Sequence, residues 1–350
     1  MEYKGDPRCL GDMARKDQYQ AITDRIIAAL DEGTVPWQKP WHTQGLNLPA
    51  NGTSGKAYRG INVVLTMLTA WERGYSSNVW VTFKQANEIA SRVARKAGHA
   101  VEQNKRGTWV FADGENKGQS VGGIRAGQNA KAGQGATPII FWKTGSRTET
   151  DADTGSEVEK TWAMMRSYNV FALEQCEEGV QAYLKAKHGI SDEAEHEPHE
   201  AAEAICEQYE IETRHGGDRA YYSPKGDYIQ MPPMGAFTSP DAYYATRFHE
   251  MGHSTGAVGR LHRKGVAEFD YFGSHQYAEE ELVAEFTACF LAAEAGIEHN
   301  VETSAGYIKV WKSRLNADPR LIVRVAQAAQ KAADLIMGRT AKVEAKEDAA

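Results

Sequence analysis

His249, Glu250 and His253 are spaced so that, on one helix, two imidazoles leave the same side a turn apart with a carboxylate between them. Two such nitrogens can share one divalent cation, and zinc is the ion that imidazole pairs most often hold. A carboxylate at the second position can take a proton from water beside that cation. The three residues thus point to metal-assisted hydrolysis of a peptide bond, with Glu250 as base. The pattern is short enough to arise by chance, so its surroundings have to carry it. Ser239-Pro240-Asp241 supplies a helix N-cap with proline at the first helical position. Tyr244, Phe248 and Met251 form an apolar stripe at helical spacing. Gly256 stands where a helix commonly ends in a left-handed residue.

A catalytic zinc ion normally takes a third protein ligand and keeps one position open. The class whose third ligand is a histidine six residues past the second is disfavoured: position 259 is glycine, and His262 comes three residues late. Asp270 offers an oxygen, but from a loop-like stretch. The stronger candidates lie in the helix predicted over 277–294. Its face of Leu282, Phe286, Cys289, Phe290 and Ala293 is apolar, and Glu281 and Glu285 lie beside it one turn apart. An unpaired carboxylate in a core is costly, and a metal accounts for two of them. Glu281 is therefore read as the third ligand and Glu285 as the group hydrogen-bonding a ligating histidine. Glu279 and Glu280 are expected on a solvated face. Tyr277 or His275, just ahead, is placed to steady an oxyanion.

Other elements must position these groups. An amphipathic helix is predicted over 17–33, with Ile22, Ile26, Ile27 and Leu30 on one face. A mostly buried helix follows over 61–73, then a strand at 79–83 and a helix from Lys84 to Lys96. Residues 98–136 hold nine glycines without a steady period and read as a loop excursion. Ile139–Lys143 and Met165–Phe171 read as strands joined by an acidic, turn-rich arm. The stretch 181–200 reads as an acidic linker or the start of a helix. Two short strands around Tyr221–Tyr222 and Asp227–Pro232 lead into the metal helix and offer a rim on which an extended peptide can add as a strand. The last third is helical, and the tail from 339 to 350 is expected to be disordered.

Four scattered cysteines argue against a disulfide framework or a zinc finger and fit a reducing cytoplasm. No run is apolar enough for a membrane span and no signal peptide is evident, so a soluble, cytoplasmic protein without a membrane partner is expected. The net charge of −7 hides an asymmetry: residues 1–170 carry 22 basic and 17 acidic side chains, residues 171–350 carry 18 and 30. A basic half joined to an acidic one suggests a polyanion-binding module beside something else. Between 58 and 96, Tyr58, Arg59, Trp80, Lys84, Arg92 and Lys96 interleave rings with positive charge, the pattern that holds single-stranded nucleic acid by stacking and phosphate neutralisation. The glycine-rich stretches match neither phosphate-binding fingerprint.

Taken in order, several blocks resemble the ArdC-type antirestriction proteins of conjugative plasmids and phages, whose N-terminal domain is also similar to that of TraC-type plasmid primases. The blocks are Tyr58-Arg-Gly-Ile-Asn, Trp80-Val-Thr-Phe-Lys-Gln-Ala, Ile140-Phe-Trp-Lys, Arg166-Ser-Tyr-Asn-Val-Phe, Asp227-Tyr-Ile-Gln-Met-Pro, the run from Tyr243 through His253 to Gly256, Arg260-Leu, Tyr277-Ala-Glu-Glu-Glu-Leu-Val-Ala-Glu and Tyr307-Ile-Lys-Val-Trp. The resemblance spans about 17 to 337. The resemblance implies an α+β chain: a mixed α+β single-stranded-DNA-binding domain over 1–180, then a mainly helical zincin-like metallopeptidase domain with a small sheet over 201–338. It implies zinc held by His249, His253 and Glu281, an unidentified protein substrate, for which the host restriction system is one source, and protection of incoming plasmid or phage DNA. It adds Asn62, Gln85 and Lys143 to the candidate DNA contacts. The stretch 98–136 and the loop around Asn51 look longer than the family's, so DNA contacts carry over less safely than metal ligands. Two other readings stay open: a non-catalytic DNA-coating protein with a structural zinc site, and an acidic half that mimics DNA.

Overall fold

The structure, a computed structural model, describes residues 7–32, 35, 46, 48–125, 135–150, 157–190, 198–268, 275–299 and 305–339. Asp270 and the tail from 340 lie outside these residues, as do the side chains of His275 and Lys143. Ten helices and nine strands run through the described residues in a mixed α+β order. They group into two compact units that interleave along the chain. One unit comprises residues 1–49, 57–68 and 191–350; the other comprises 50–56 and 69–190.

In the second unit, β1 (Ala50–Asn51), β2 (Val79–Thr82), β5 (Thr137–Thr150) and β6 (Glu157–Ala172) form a sheet in the order β1-β2-β6-β5. Helix α2 (Ile61–Arg73) begins in one unit and ends in the other. Helix α3 (Phe83–Lys96) opens on a capping box between Thr82 and Gln85, which satisfies two of the backbone amides a helix start leaves bare. Where glycines predict a loop excursion, the structure has a small hairpin, β3 (Val101–Gln103) with β4 (Trp109–Phe111). Its turn is closed by the Asn104 side chain, which accepts from the Arg106 and Thr108 amides. A short motif of three-residue strands leaves too weak an alternation to read from sequence. The unit ends in α4 (Glu178–His188), stopped by left-handed Gly189.

The first unit is mainly helical. Helix α1 (Pro7–Asp31) buries Ile22, Ile26 and Leu30. Then come α5 (Pro198–Gln208) and a three-stranded sheet of β7 (Glu212–His215), β8 (Tyr221–Ser223) and β9 (Tyr228–Met231), in the order β7-β9-β8. Helices α6 (Pro240–Ser254), α7 (Lys264–Ala267), α8 (His275–Ala295), α9 (Ala305–Ala317) and α10 (Leu321–Ile336) complete it. Helix α8 is the axis. One apolar face was expected, yet from Leu282 to Ala293 every side chain is buried, because α5, α6, α7, α9 and α10 all pack on it. No helix among the described residues is long and apolar enough to cross a membrane.

Candidate metal centre

Ser239 caps α6 as its sequence implies, its hydroxyl accepting from the Ala242 amide at 3.1 Å, and Pro240 opens the helix. Tyr244, Phe248 and Met251 are buried on the inner face. His249 and His253 leave α6 toward α8. Gly252, between them, makes this possible: a Cβ there would lie 3.1 Å from the Ala284 Cα and 3.2 Å from the Thr287 Cβ. The two helices therefore approach closely enough for a short acidic side chain to bridge them.

That side chain is Glu281. Its Oε2 lies 3.5 Å from His249 Nε2 and its Oε1 lies 3.4 Å from His253 Nε2. The two Nε2 atoms are 3.1 Å apart. One ligand atom from each of the three residues falls within 4.8 Å of the others, the only such set among the described residues. Burial alone would raise the Glu281 pKa. His253 and His249 outweigh it and hold the carboxyl far below the usual carboxylate range. Two imidazole lone pairs 3.1 Å apart repel unless a proton or a cation lies between them, and an anionic oxygen faces both. Two nitrogens and one carboxylate oxygen fit a divalent metal.

The surroundings revise two readings made from sequence. Glu280, expected in solvent, is 4% exposed. Its Oε1 faces His253 Nδ1 at 3.3 Å and accepts from Arg263 Nη2 at 2.6 Å, while its Oε2 accepts from Arg263 Nε at 2.8 Å. Burial would raise its pKa, but the Arg263 fork foremost brings it below its ordinary value. Arg263 also donates to Thr255 Oγ1 and to the Gly252 carbonyl, tying the end of α6 to α8. Glu280 thus makes the hydrogen-bond contact to a histidine of the cluster that the sequence reading gave to Glu285. Glu285 instead stands 3.8 Å from His249 Nδ1 and 3.6 Å from His299 Nε2, at ion-pair rather than hydrogen-bond range. His299, 1% exposed, escaped sequence reading because no spacing links it to α6. Glu279 is partly exposed and faces Arg314 and Arg324, in keeping with a solvated side.

Glu250 is held by the small sheet. Its Oε2 accepts the Tyr222 amide of β8 at 2.7 Å. Strand β8 is held in turn by Tyr222 Oη, which donates to Asp227 at 2.8 Å, and by Arg260, which pairs with Asp227 and donates to the Ser254 carbonyl at the end of α6. Arg260 first, then Tyr222, lowers the Asp227 pKa. Gly256 has no left-handed φ, contrary to expectation. A Cβ there would meet Val266 Cγ2 at 2.6 Å, so glycine is required for space under α7. Tyr277 is partly buried at the start of α8.

The candidate DNA contacts divide. Tyr58, Asn62 and Trp80 are 7%, 8% and 0% exposed and are not available to bases. Arg59 pairs with Asp334. Gln85 is committed to the α3 cap and to Asn51. Lys84, Arg92 and Lys96 are exposed on α3.

Comparison with known proteins places this geometry. The model of the N-terminal domain of anti-restriction factor ArdC matches residues 16–171, and the zincin-like metallopeptidase model matches 200–328. Crystal structures of the antirestriction protein ArdC from plasmid R388 superpose on the chain. The metal-free form has TM-score 0.63 at 34% identity, over 92% of this chain and 97% of that one; the Mn(II)-bound form has 0.59 at 32%, over 93% and 99%. The chain belongs to the ArdC antirestriction family. Among curated relatives, the uncharacterized protein y4eC of Sinorhizobium fredii is 32% identical over 91% of both chains. The DNA primase TraC of Escherichia coli is 32% identical over 92% of this chain, which spans 27% of that primase. The ArdC-type assignment and its α+β, zincin-like architecture stand as the sequence resemblance implied.

Proposed function

We propose that the chain binds single-stranded DNA and hydrolyses a peptide bond at the His249–His253–Glu281 centre, helping incoming DNA to survive restriction. What supports the hydrolytic part is the convergence of the two imidazoles and Glu281 across two helices, with the Glu250 carboxylate anchored beside them. In this reading His249, His253 and Glu281 would hold a divalent metal, zinc by donor chemistry. When bound, the metal polarises a carbonyl and acidifies water. Glu280, braced by Arg263, fixes the His253 ring so that its Nε2 lone pair faces the centre. Glu250, one oxygen fixed by Tyr222, has the other to take a proton from the attacking water and return it to the leaving amine. β8, at the edge of its sheet and beside Glu250, is the surface on which an extended peptide substrate would align.

Zinc and manganese content of protein purified without chelators tests the metal. Glu250→Gln tests the chemistry: it should keep the parent's metal content and lose about a hundredfold or more of cleavage, assayed on added protein with single-stranded DNA present. Cleavage at the parent rate would remove Glu250 from the role of base. Undiminished protection of incoming DNA by the same variant would make the centre structural. DNA mimicry by the acidic half is weakened by how its acids are used. Glu203 accepts from Tyr244, Asp241 accepts from the Glu298 amide, and Glu280 and Asp334 pair with arginines.

A further inference from the structure

The β5–β6 pair is the longest paired element among the described residues, with register running unbroken from Thr137↔Val170 to Thr150↔Glu157. Antiparallel pairing puts directly opposed residues on one face and alternate residues on the other. Two faces of very different chemistry result. One carries the register positions of Phe141, Lys143, Arg147, Lys160, Trp162, Arg166 and Tyr168, all four basic residues of the paired ribbon among them, with Glu149 as its one acid. The other carries no basic residue; its one aromatic is Trp142, and it is otherwise mostly small or hydroxyl-bearing residues and Glu157 and Glu159.

On the basic face Phe141 and Tyr168 are in the open, as is Trp142 on the other, 42% exposed, and only the basic face sets its rings beside cations. Phe141 is 46% and Tyr168 39% exposed, standing edge to face with centroids 5.4 Å apart. Arg166 lies directly across from Phe141 and is exposed. Folding does not require this. Rings buried in the sheet, such as Trp80 and Phe171, already fill the core, and exposed rings cost the free chain without stabilising it. Edge protection of β5 also fails as an explanation. Charge on either face would blunt an edge strand, whereas here the register positions of all four basic residues fall on one.

We infer that this face of the β5–β6 hairpin is the track for single-stranded DNA, with bases stacked on Phe141 and Tyr168 and phosphates met by Arg166 and the basic register positions beyond it. Exposed rings alternating with cations at two-residue spacing match the needs of an unpaired strand, which shows base faces and phosphates along one line. A duplex hides its base faces, so the rings select against it. The inference rests on the proposed reading of the chain as a single-strand binder.

The test uses the full-length protein and fluorescein-labelled dT30, read by anisotropy. Phe141→Ala and Tyr168→Ala should each weaken binding about tenfold, the scale of one lost stacking contact. Arg166→Gln should flatten the dependence of log affinity on log salt by about 0.7. Trp142→Ala, on the opposite face, should stay within twofold of the parent. Binding by the Phe141 and Tyr168 variants within twofold of the parent, or an equal loss in Trp142→Ala, overturns the assignment of the face while leaving single-strand binding intact. A parent protein that does not bind dT30 overturns the single-strand reading itself, and this inference with it. Photocrosslinking of the unaltered protein to 4-thiothymidine in the oligonucleotide gives a result independent of any variant's folding. Adducts should map to the peptides holding Phe141 and Tyr168, and adducts confined to other peptides would overturn the inference.

Discussion

Glu280 separates what a residue's type conveys from what its neighbours decide. Glu279, Glu280 and Glu281 are adjacent and alike, but a helix turns about 100° per residue, so the three cannot share a fate. Glu279 faces arginines near the surface, Glu280 faces Arg263, and Glu281 faces the two histidines. The periodicity of α8 marks Glu281 as inward, and that reading agrees with where the structure puts it. It does not mark Glu280, because the signal is an arginine 17 positions earlier on α7's approach. His249, Glu250 and His253 were legible because their spacing is local. Glu280→Ala should therefore be costly in two ways. It strands the Arg263 guanidinium, which is 13% exposed, and removing one partner of such a buried pair typically costs about 3–5 kcal/mol. It also frees the His253 ring, and loss of such an orienting carboxylate weakens metal binding about 10–100-fold. Urea denaturation of metal-free protein measures the first, and competition with a chelating dye measures the second. Normal metal affinity in a folded Glu280→Ala protein would remove the orienting role.

At the scale of elements, the caps were legible and the close contacts were not. Ser239-Pro240 announces the start of α6 because capping is a local exchange between a hydroxyl and an amide two or three residues on. Gly256 reads from sequence as a helix stop, yet its φ is not positive, and only the packed structure shows Val266 filling the place of its Cβ. The hairpin β3–β4 was hidden by its brevity, and the one-sided charge of β5–β6 by the need for register, which sequence alone does not give. Gly256→Ala should then destabilise the protein by about 1–3 kcal/mol, as overpacking of a tight site does. Gly259→Ala is the matched control: nothing lies within 4 Å of its added Cβ and its φ is not positive. It should be neutral, or stabilising by less than about 1 kcal/mol. Thermal melts of the two variants decide this, and equal melting shifts would show that space does not govern position 256. Ser239→Ala, which removes the hydroxyl that accepts the Ala242 amide, should cost about 1 kcal/mol in the same assay.

At the scale of the molecule, charge divides the sequence at about residue 170, but compact units do not follow that division. Residues 57–68, which include Tyr58 and Arg59 of one family block, belong to the compact unit that holds His249, His253 and Glu281. Two thiols report on the two units. Cys176 belongs to the unit of the long hairpin and Cys206 to the unit of the metal centre, and burial first of all pushes each up to about 12. A thiol reacts as its thiolate, and at pH 8 such a group is ionised to roughly one part in ten thousand. Both should resist iodoacetamide in the native protein and react only once their unit opens, followed by mass spectrometry of each cysteine's own peptide. A ligand that binds only the folded state stabilises it by RT ln(1 + [L]/Kd), about 2.7 kcal/mol at a hundredfold excess over Kd. Withdrawing the metal with a chelator should therefore lower the denaturant concentration at which Cys206 becomes reactive, and lower that for Cys176 less. Equal shifts at the two thiols would mean that the units unfold as one, and no shift at Cys206 would mean that the His249–His253–Glu281 centre binds no metal tightly enough to stabilise its unit.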